Sequence, residues 1–160
     1  MVGETYDIKQ QYDVPYVPSS GTKVATMMKL AQVVPGEMAV DIGSGEGKLV
    51  IEMAKRGAYA TGIEIDEQRS LTSRARIAAA QLETRANIFR QDFWEHDLNR
   101  YDLIMVYGVP SIMERLGKKI ENEAKPTVRV VTNHFEFPGW LTEKSEENVY
   151  LYRPLIKRIA

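Results

Sequence analysis

The apolar positions of this chain switch between two periods, and the switches mark its elements. Over 23–34 (KVATMMKLAQVV), Val24, Met27, Met28, Ala31 and Val34 recur every three or four residues. That spacing predicts a helix, capped by Ser20 or Thr22 and ended by Pro35-Gly36. The unbroken apolar run Met38 to Ile42 predicts a buried strand. Leu49, Val50, Met53 and Ala54 share one helical face before Gly57, and Tyr59 to Ile65 again reads as a strand. A second amphipathic helix is predicted over 67–83, with Leu71, Ala75, Ala78 and Leu82 on its inner face. Strands follow at 86–91 and 102–107, then a helix over 111–124 whose face is Ile112, Met113, Leu116 and Ile120. A strand at 127–132, a polar-aromatic loop from Asn133 to Trp140 and a last strand at 148–153, antiparallel at the sheet edge, complete the chain.

Helices and apolar strands in this order, with short connections, predict an α/β fold. The expected form is a mostly parallel, doubly wound, Rossmann-like sheet with an antiparallel edge strand. Residues 1–22 are polar, then carry two prolines and a Ser-Ser-Gly cluster. They are expected to form an irregular N-terminal arm over the ligand site, with 23–160 a single domain. Tyr12 and Tyr16 are either staples that fix the arm to the domain or rings that help close the site.

Composition narrows the chemistry. In 160 residues there is no cysteine, which removes disulfides and thiolate metal sites, and the two histidines lack ligand spacing, so no metal is expected. A net charge of -1 gives no global attraction to nucleic acid. The one basic stretch, Arg69, Arg74, Arg76, Arg85 and Arg90, reads first as a solvated face and second as a patch for acidic partners. No apolar run is long enough to span a membrane and the N-terminus lacks a signal-peptide core, so a cytoplasmic location is expected.

The candidate site begins at DIGSGEG, 41–47. Gly43, Gly45 and Gly47 suit a turn with positive φ that lets a ligand approach bare backbone. Glu64 follows Gly43 by about twenty residues, at the tip of the second strand, where a carboxylate can accept both hydroxyls of a ribose. A dinucleotide fingerprint would need glycine where Lys48 stands, and Asp41 beside the turn would repel a pyrophosphate. Asp41 suits a cationic ligand, which favours S-adenosylmethionine over NAD. Asp92 and Phe93, at the tip of the third strand, suit an adenine; the competing reading is a helix cap with a buried ring. Asp41 to Gly47, Glu64, Asp92-Phe93, Tyr107 to Pro110 and Asn133 to Phe137 all fall at the expected carboxyl ends of strands, where such sheets bind ligands.

With these residues the sequence resembles the class I S-adenosylmethionine-dependent methyltransferases, through DIGSGEG at 41–47, GIEID at 62–66 and QDFW at 91–94. PYVPSS at 15–20 and YDLIMVYGVPSIMERL at 101–116 narrow the resemblance to the FAM173 family of small protein-lysine methyltransferases. That group is similar to the archaeal broad-specificity lysine methyltransferases and related to the Dot1 catalytic core. The resemblance implies that Asp41, Gly43, Ser44, Gly45 and Gly47 hold the methionine end of the cofactor, Glu64 the ribose and Asp92-Phe93 the adenine. It implies that Tyr16 and Ser20 close over the cofactor. It further implies that Tyr107, with Pro110 and the Asn133-to-Phe137 loop, borders a lysine channel.

Tyr107, Phe135, Phe137 and Trp140 are the candidates for its apolar wall, which would favour the neutral amine. Tyr107 and Phe135 are the expected catalytic pair. Asn133, Pro110, Phe137 and Trp140 are the expected substrate contacts. The activity implied is methyl transfer to lysine ε-amines of proteins, small basic chromatin-type proteins and the enzyme itself included, by a monomer. Nucleic-acid or small-molecule methylation, and a non-enzymatic scaffold, are the alternatives. Against the first, Tyr107-Gly108-Val109-Pro110 offers no amide or acid to a base amine.

Overall fold

A computed structural model describes residues 21–156. Its elements are α1 (Gly21–Ala31), β1 (Met38–Ile42), α2 (Lys48–Lys55), β2 (Tyr59–Ile63), α3 (Glu67–Ala79), β3 (Ala86–Phe89), a 3-10 turn (Phe93–Glu95), β4 (Leu103–Tyr107), α4 (Pro110–Glu123), β5 (Arg129–Asn133), β6 (Lys144–Glu146) and β7 (Val149–Tyr152). The seven strands form one sheet in the order β3-β2-β1-β4-β5-β7-β6. The first five are parallel, and β7 pairs antiparallel with both β5 and β6. The strand order reverses between β1 and β4, which places a crevice at the carboxyl ends of those two strands.

Apolar clusters cover both faces of the sheet. One joins α1 and α2 to Ala39, Ala60, Met105 and Val131; the other joins α4 to Val40, Ile63, Ile104 and Val130. The buried residues of α2 are Leu49, Val50, Met53 and Ala54, and those of α4 include Ile112, Met113, Leu116 and Ile120, the faces their periodicity predicts. An ion pair closes the floor of the first layer. Arg129 binds both carboxylate oxygens of Glu37, at 2.7 and 3.0 Å, and donates to the carbonyl of Ala31. It thereby fixes the last turn of α1 to the start of β5.

Three local expectations are corrected. Helix α1 stops at Ala31 rather than Val34: Gln32 turns left-handed (φ 47), and the proline that follows disfavours helical geometry at Val34, which is exposed. Helix α3 buries Ser70, Ser73 and Ile77, while Leu71, Ala75 and Ala78 face solvent. The small serines win the inner face because it abuts the loops of the site, where their hydroxyls find carbonyl partners. Strand β6 was not expected, because Lys144-Ser145-Glu146 has no apolar alternation. It is a polar edge strand joined to β7 through a tight turn with Glu147 (φ 48) and Asn148 (φ 62) both left-handed.

Candidate functional site

Gly43, Gly45 and Gly47 have φ of 74, 57 and 86°, so the sequence 43–47 coils into a turn that side-chain-bearing residues resist. The amides of Gly43 and Ser44 both donate to the carbonyl of Ile63, at 3.0 and 2.9 Å, which ties the turn to the tip of β2. Gly62 makes that approach possible. A Cβ there would lie 2.5 Å from Ser44 Oγ and 2.7 Å from Ile88 Cδ1. From the other side Ser73 of α3 donates its hydroxyl to the Gly45 carbonyl at 2.7 Å, and Ser70 donates to the Glu64 carbonyl at 3.1 Å. The turn is therefore held by β2 and α3 before any ligand arrives. Ser44 Oγ is buried without a hydrogen-bond partner.

Two carboxylates flank the turn. Glu64 is 5% exposed and accepts from the amides of Gly45 and Asp66, each at 2.9 Å, with Arg69 Nε 3.5 Å from its Oε1. Asp41 is 3% exposed. Burial first, and then the charge of Glu64, raise its pKa well above the usual aspartate value. A carboxylate in that position favours any cation that can replace lost water. Strand alternation places Asp41, Glu64, Tyr107 and Asn133 on the face that carries Ala39, Ala60, Met105 and Val131. Across the crevice the order is thus Glu64, Asp41, Tyr107, Asn133. The arrangement can take a ligand with a diol at one end and a positive charge at the other, and it leaves the Tyr107–Asn133 side for a second reactant.

The remaining expected residues divide. Tyr107 and Asn133 end β4 and β5 in direct register. Pro110 is the first residue of α4. Asp92 caps the 3-10 turn through the Trp94 amide at 3.0 Å, and Phe93 is half-buried beside Trp94, with ring centroids 4.6 Å apart. The cap reading is therefore realised at Asp92, although its segment still lies at the tip of β3. Phe135 is half-buried against the α4-side cluster. The structure does not bring Phe137 and Trp140 to the channel side. Phe137 is buried and stacks on Trp140 at 4.1 Å; both rings meet Tyr152, and they lie over Gly117 in the middle of α4. Trp140 Nε1 donates to Glu121 at 2.6 Å. Apolar area with a matching ring partner draws these residues into the core. Tyr16 and Ser20 lie outside the described residues, as does the rest of 1–20, while Gly21 and Thr22, expected in the arm, are the first residues of α1.

Ser70 and Ser73 support the site without standing out in the sequence, and Gly62, which opens the GIEID stretch, supports it without a role assigned to it there. A glycine inside a strand is a signal of close approach, so Gly62 was findable; two serines three apart on a helix carry no such signal. The arginine stretch resolves into separate internal contacts. Arg74 donates to the Ile88 carbonyl and Arg85 to that of Gly57, Arg76 pairs with Glu46, and Arg90 lies near Glu67. His96 is buried, with Nδ1 3.0 Å from Gln91 Oε1 and Nε2 2.6 Å from the Tyr101 hydroxyl. Gln91 Oε1 can only accept, so Nδ1 carries the proton and Nε2 accepts from Tyr101. Burial, followed by Arg100 and Lys119, lowers the His96 pKa. Among the described residues no group of three or more His, Asp or Glu side chains could hold a metal ion.

Comparison with known proteins adds independent information. An archaeal relative from Saccharolobus islandicus, named a protein-lysine N-methyltransferase, is 33% identical over 79% of this chain and 80% of its own length. Relatives named as lysine N-methyltransferases of an ATP synthase subunit are 34% identical in Xenopus laevis and 32% identical in Homo sapiens, over 81% and 87% of this chain. This chain spans only 57% and 61% of those two proteins. Among solved structures, one described as an RNA methyltransferase from Salinibacter ruber in complex with S-adenosyl-L-homocysteine superposes with a TM-score of 0.79 and 27% identity, over 85% of this chain and 91% of that one. The family model described as the ANTKMT methyltransferase domain matches residues 41–144, which include the glycine turn, both carboxylates and the Tyr107–Asn133 pair, and the chain belongs to that family.

Proposed function

We propose that this chain is an S-adenosylmethionine-dependent protein-lysine N-methyltransferase. The observation that carries the reading is the match to the Saccharolobus islandicus protein-lysine N-methyltransferase over most of both chains. The site residues fit the cofactor. Buried Asp41 calls for a cationic end, which a sulfonium with an α-ammonium provides and a pyrophosphate does not. In this reading Glu64 takes the ribose, the Gly43–Gly47 turn the methionine end, and the Asp92–Phe93 segment the adenine. When bound, the cofactor supplies an electrophilic methyl on sulfur: the amine nitrogen forms the new N–C bond as the C–S bond breaks, and that electron pair stays on sulfur.

The chain's own task is to deliver a neutral amine. A free lysine has a pKa of about 10.4, so an ammonium must lose its proton before it can attack. The half-buried Tyr107, at the end of the buried strand β4, favours the uncharged form by desolvation and offers a hydroxyl as an acceptor. Orientation rather than a dedicated side-chain base then carries the rate. Substrates in this reading are proteins with protruding lysines, small basic chromatin-type proteins among them. The chain acts as a cytoplasmic monomer.

RNA methylation is the second reading, favoured by the Salinibacter ruber structure. The internal engagement of the arginines at 69–90 and the Tyr107-Gly108-Val109-Pro110 sequence stand against it. The test offers labelled S-adenosylmethionine with a mixed lysate, a small basic protein, RNA and a metabolite pool. Label in protein is the expected result. Label confined to RNA or to metabolites overturns the lysine reading.

A further inference from the structure

The loop that follows β3 is tied down from two sides, and the inner tie is a histidine. Within 91–96 the backbone bonds are short-range: Glu95 N donates to the Asp92 carbonyl at 3.1 Å and His96 N to that of Phe93 at 3.2 Å. Such bonds shape the 3-10 turn but do not aim it. From outside, α4 holds Trp94. Lys119 Nζ donates to its carbonyl at 3.0 Å, and the Arg115 guanidinium lies 3.8 Å from the centre of its ring. From inside, His96 Nδ1 donates to Gln91 Oε1 at 3.0 Å, which joins the residue after the turn to the residue before Asp92. The ring is itself anchored. Its Nε2 accepts from the Tyr101 hydroxyl at 2.6 Å, and Tyr101 is fully buried, with its hydroxyl bonded to Thr61 of β2. The path Thr61, Tyr101, His96, Gln91 thus carries the position of β2 to the start of the Asp92–Phe93 segment.

The chemistry of the ring suits a fixed brace. Burial first, then the charges of Arg100 and Lys119, hold its pKa below the usual histidine value, with Asp97 and Glu123 opposing them more weakly. Burial pushes the Tyr101 hydroxyl up, so the phenol keeps the proton that it donates. A neutral ring protonated at Nδ1 has one donor and one acceptor, and both are used. We propose, on the adenine placement given above, that His96 is a positioning residue of the cofactor site: through Gln91 it holds the loop in the shape in which Asp92 and Phe93 meet the adenine. Asp92 Oδ1 is engaged by the Trp94 amide; its second oxygen gives an exocyclic amine its acceptor. Without the brace the loop has to be ordered as the ligand arrives, and that ordering lowers cofactor affinity. The methyl group and its acceptor stand at the other end of the site, so turnover with saturating cofactor is unaffected.

The test measures S-adenosylhomocysteine binding by calorimetry, with a thermal melt of each variant and initial rates on a short lysine peptide. His96→Phe keeps a ring and loses the donor. Gln91→Leu loses the acceptor from a half-buried position, and it covers the case in which His96→Phe fails to fold. Each is expected to weaken binding about two- to tenfold, the worth of one neutral hydrogen bond. KM for S-adenosylmethionine should rise by the same factor, with kcat and the peptide KM unchanged. The two substitutions together should weaken binding no more than either alone. His96→Asn, whose amide nitrogen takes the place of Nδ1, should regain part of the affinity even where it melts lower than His96→Phe. The proposal is overturned if His96→Phe and Gln91→Leu bind as wild type does, if their losses add in the double variant, or if affinity follows melting temperature across the set. Asp92→Asn, which keeps the cap and loses the second acceptor, separates the brace from the adenine placement. Full affinity in both Asp92→Asn and Phe93→Ala overturns that placement, and this proposal with it. Weakened binding in those two with wild-type binding in His96→Phe overturns this proposal alone. Calorimetry needs no methyl acceptor, so its result decides the matter even for a chain that labels RNA and never lysine.

Discussion

Replacing Asp41 by asparagine should stabilise the free protein and weaken cofactor binding. Asp41 is 3% exposed, and both burial and the neighbouring Glu64 oppose its ionisation. With its native pKa raised above the unfolded value, the native state holds a proton that the unfolded state releases. Stability therefore falls as pH rises from the ordinary aspartate value of about 3.9 through the raised native value. An asparagine has no such proton, so the variant gains stability over wild type across that window and keeps the gain at neutral pH. Removing a buried charge that has no counter-ion among the described residues is worth about 1–2 kcal/mol, which in a domain of this size raises Tm by roughly 2–8 °C. Binding moves the other way. A charge-assisted hydrogen bond contributes about 1.5–3 kcal/mol, so the affinity for S-adenosylmethionine should fall roughly 10- to 150-fold. In wild type, ligand affinity should rise with pH as Asp41 loses its proton; in the variant that dependence should vanish. Melts between pH 4 and pH 8 with calorimetry at matching pH measure both. A variant that melts lower than wild type at pH 8 would show that the carboxylate is already satisfied in the free protein. Unchanged affinity would remove Asp41 from the site.

Further substitutions probe the supports of the site. Gly62→Ala should cost about 1–3 kcal/mol by overpacking and weaken cofactor binding. Ser44→Gly in the same chain should recover part of both losses in urea melts and calorimetry, since Ser44 is the near neighbour of the added methyl. Ser73→Ala, which loses the 2.7 Å bond to Gly45, should lower stability by about 0.5–1.5 kcal/mol and raise the cofactor Kd. Phe137→Ala should cost about 3–5 kcal/mol as a core deletion, while Phe135→Ala, half-buried, should cost less in the same melts. The lowered pKa of His96 means the native state resists its protonation, so stability should fall as pH drops below about 6.5 toward the native value. His96→Gln should flatten that part of a Tm–pH profile.

The turn was legible because its needs are local. Three glycines admit positive φ, and an apolar run on each side fixes two strands, so Asp41 and Glu64 could be placed without seeing the fold. Helices α2 and α4 were legible because their apolar stripes face apolar strands. Helix α3 was not. Its inner face touches the site loops, and there a hydroxyl that reaches the Gly45 carbonyl outweighs the transfer energy of Leu71. Phe137 and Trp140 share a loop with Asn133, and sequence proximity suggested a common wall; the loop instead folds back over Gly117, which has no side chain to exclude them. Strand β6 has no pattern of its own and exists because β7 offers an edge.

The chemistry proposed for this site is methyl transfer to lysine nitrogen. The most direct measurement is mass spectrometry of a small basic protein after incubation with the chain and labelled S-adenosylmethionine, in parallel with Asp41→Asn. Label mapped to lysine ε-amines with wild type, and strongly reduced with Asp41→Asn, is expected if this site methylates lysine. Label confined to RNA bases or small metabolites in the companion reactions, or lysine methylation undiminished in Asp41→Asn, would contradict it.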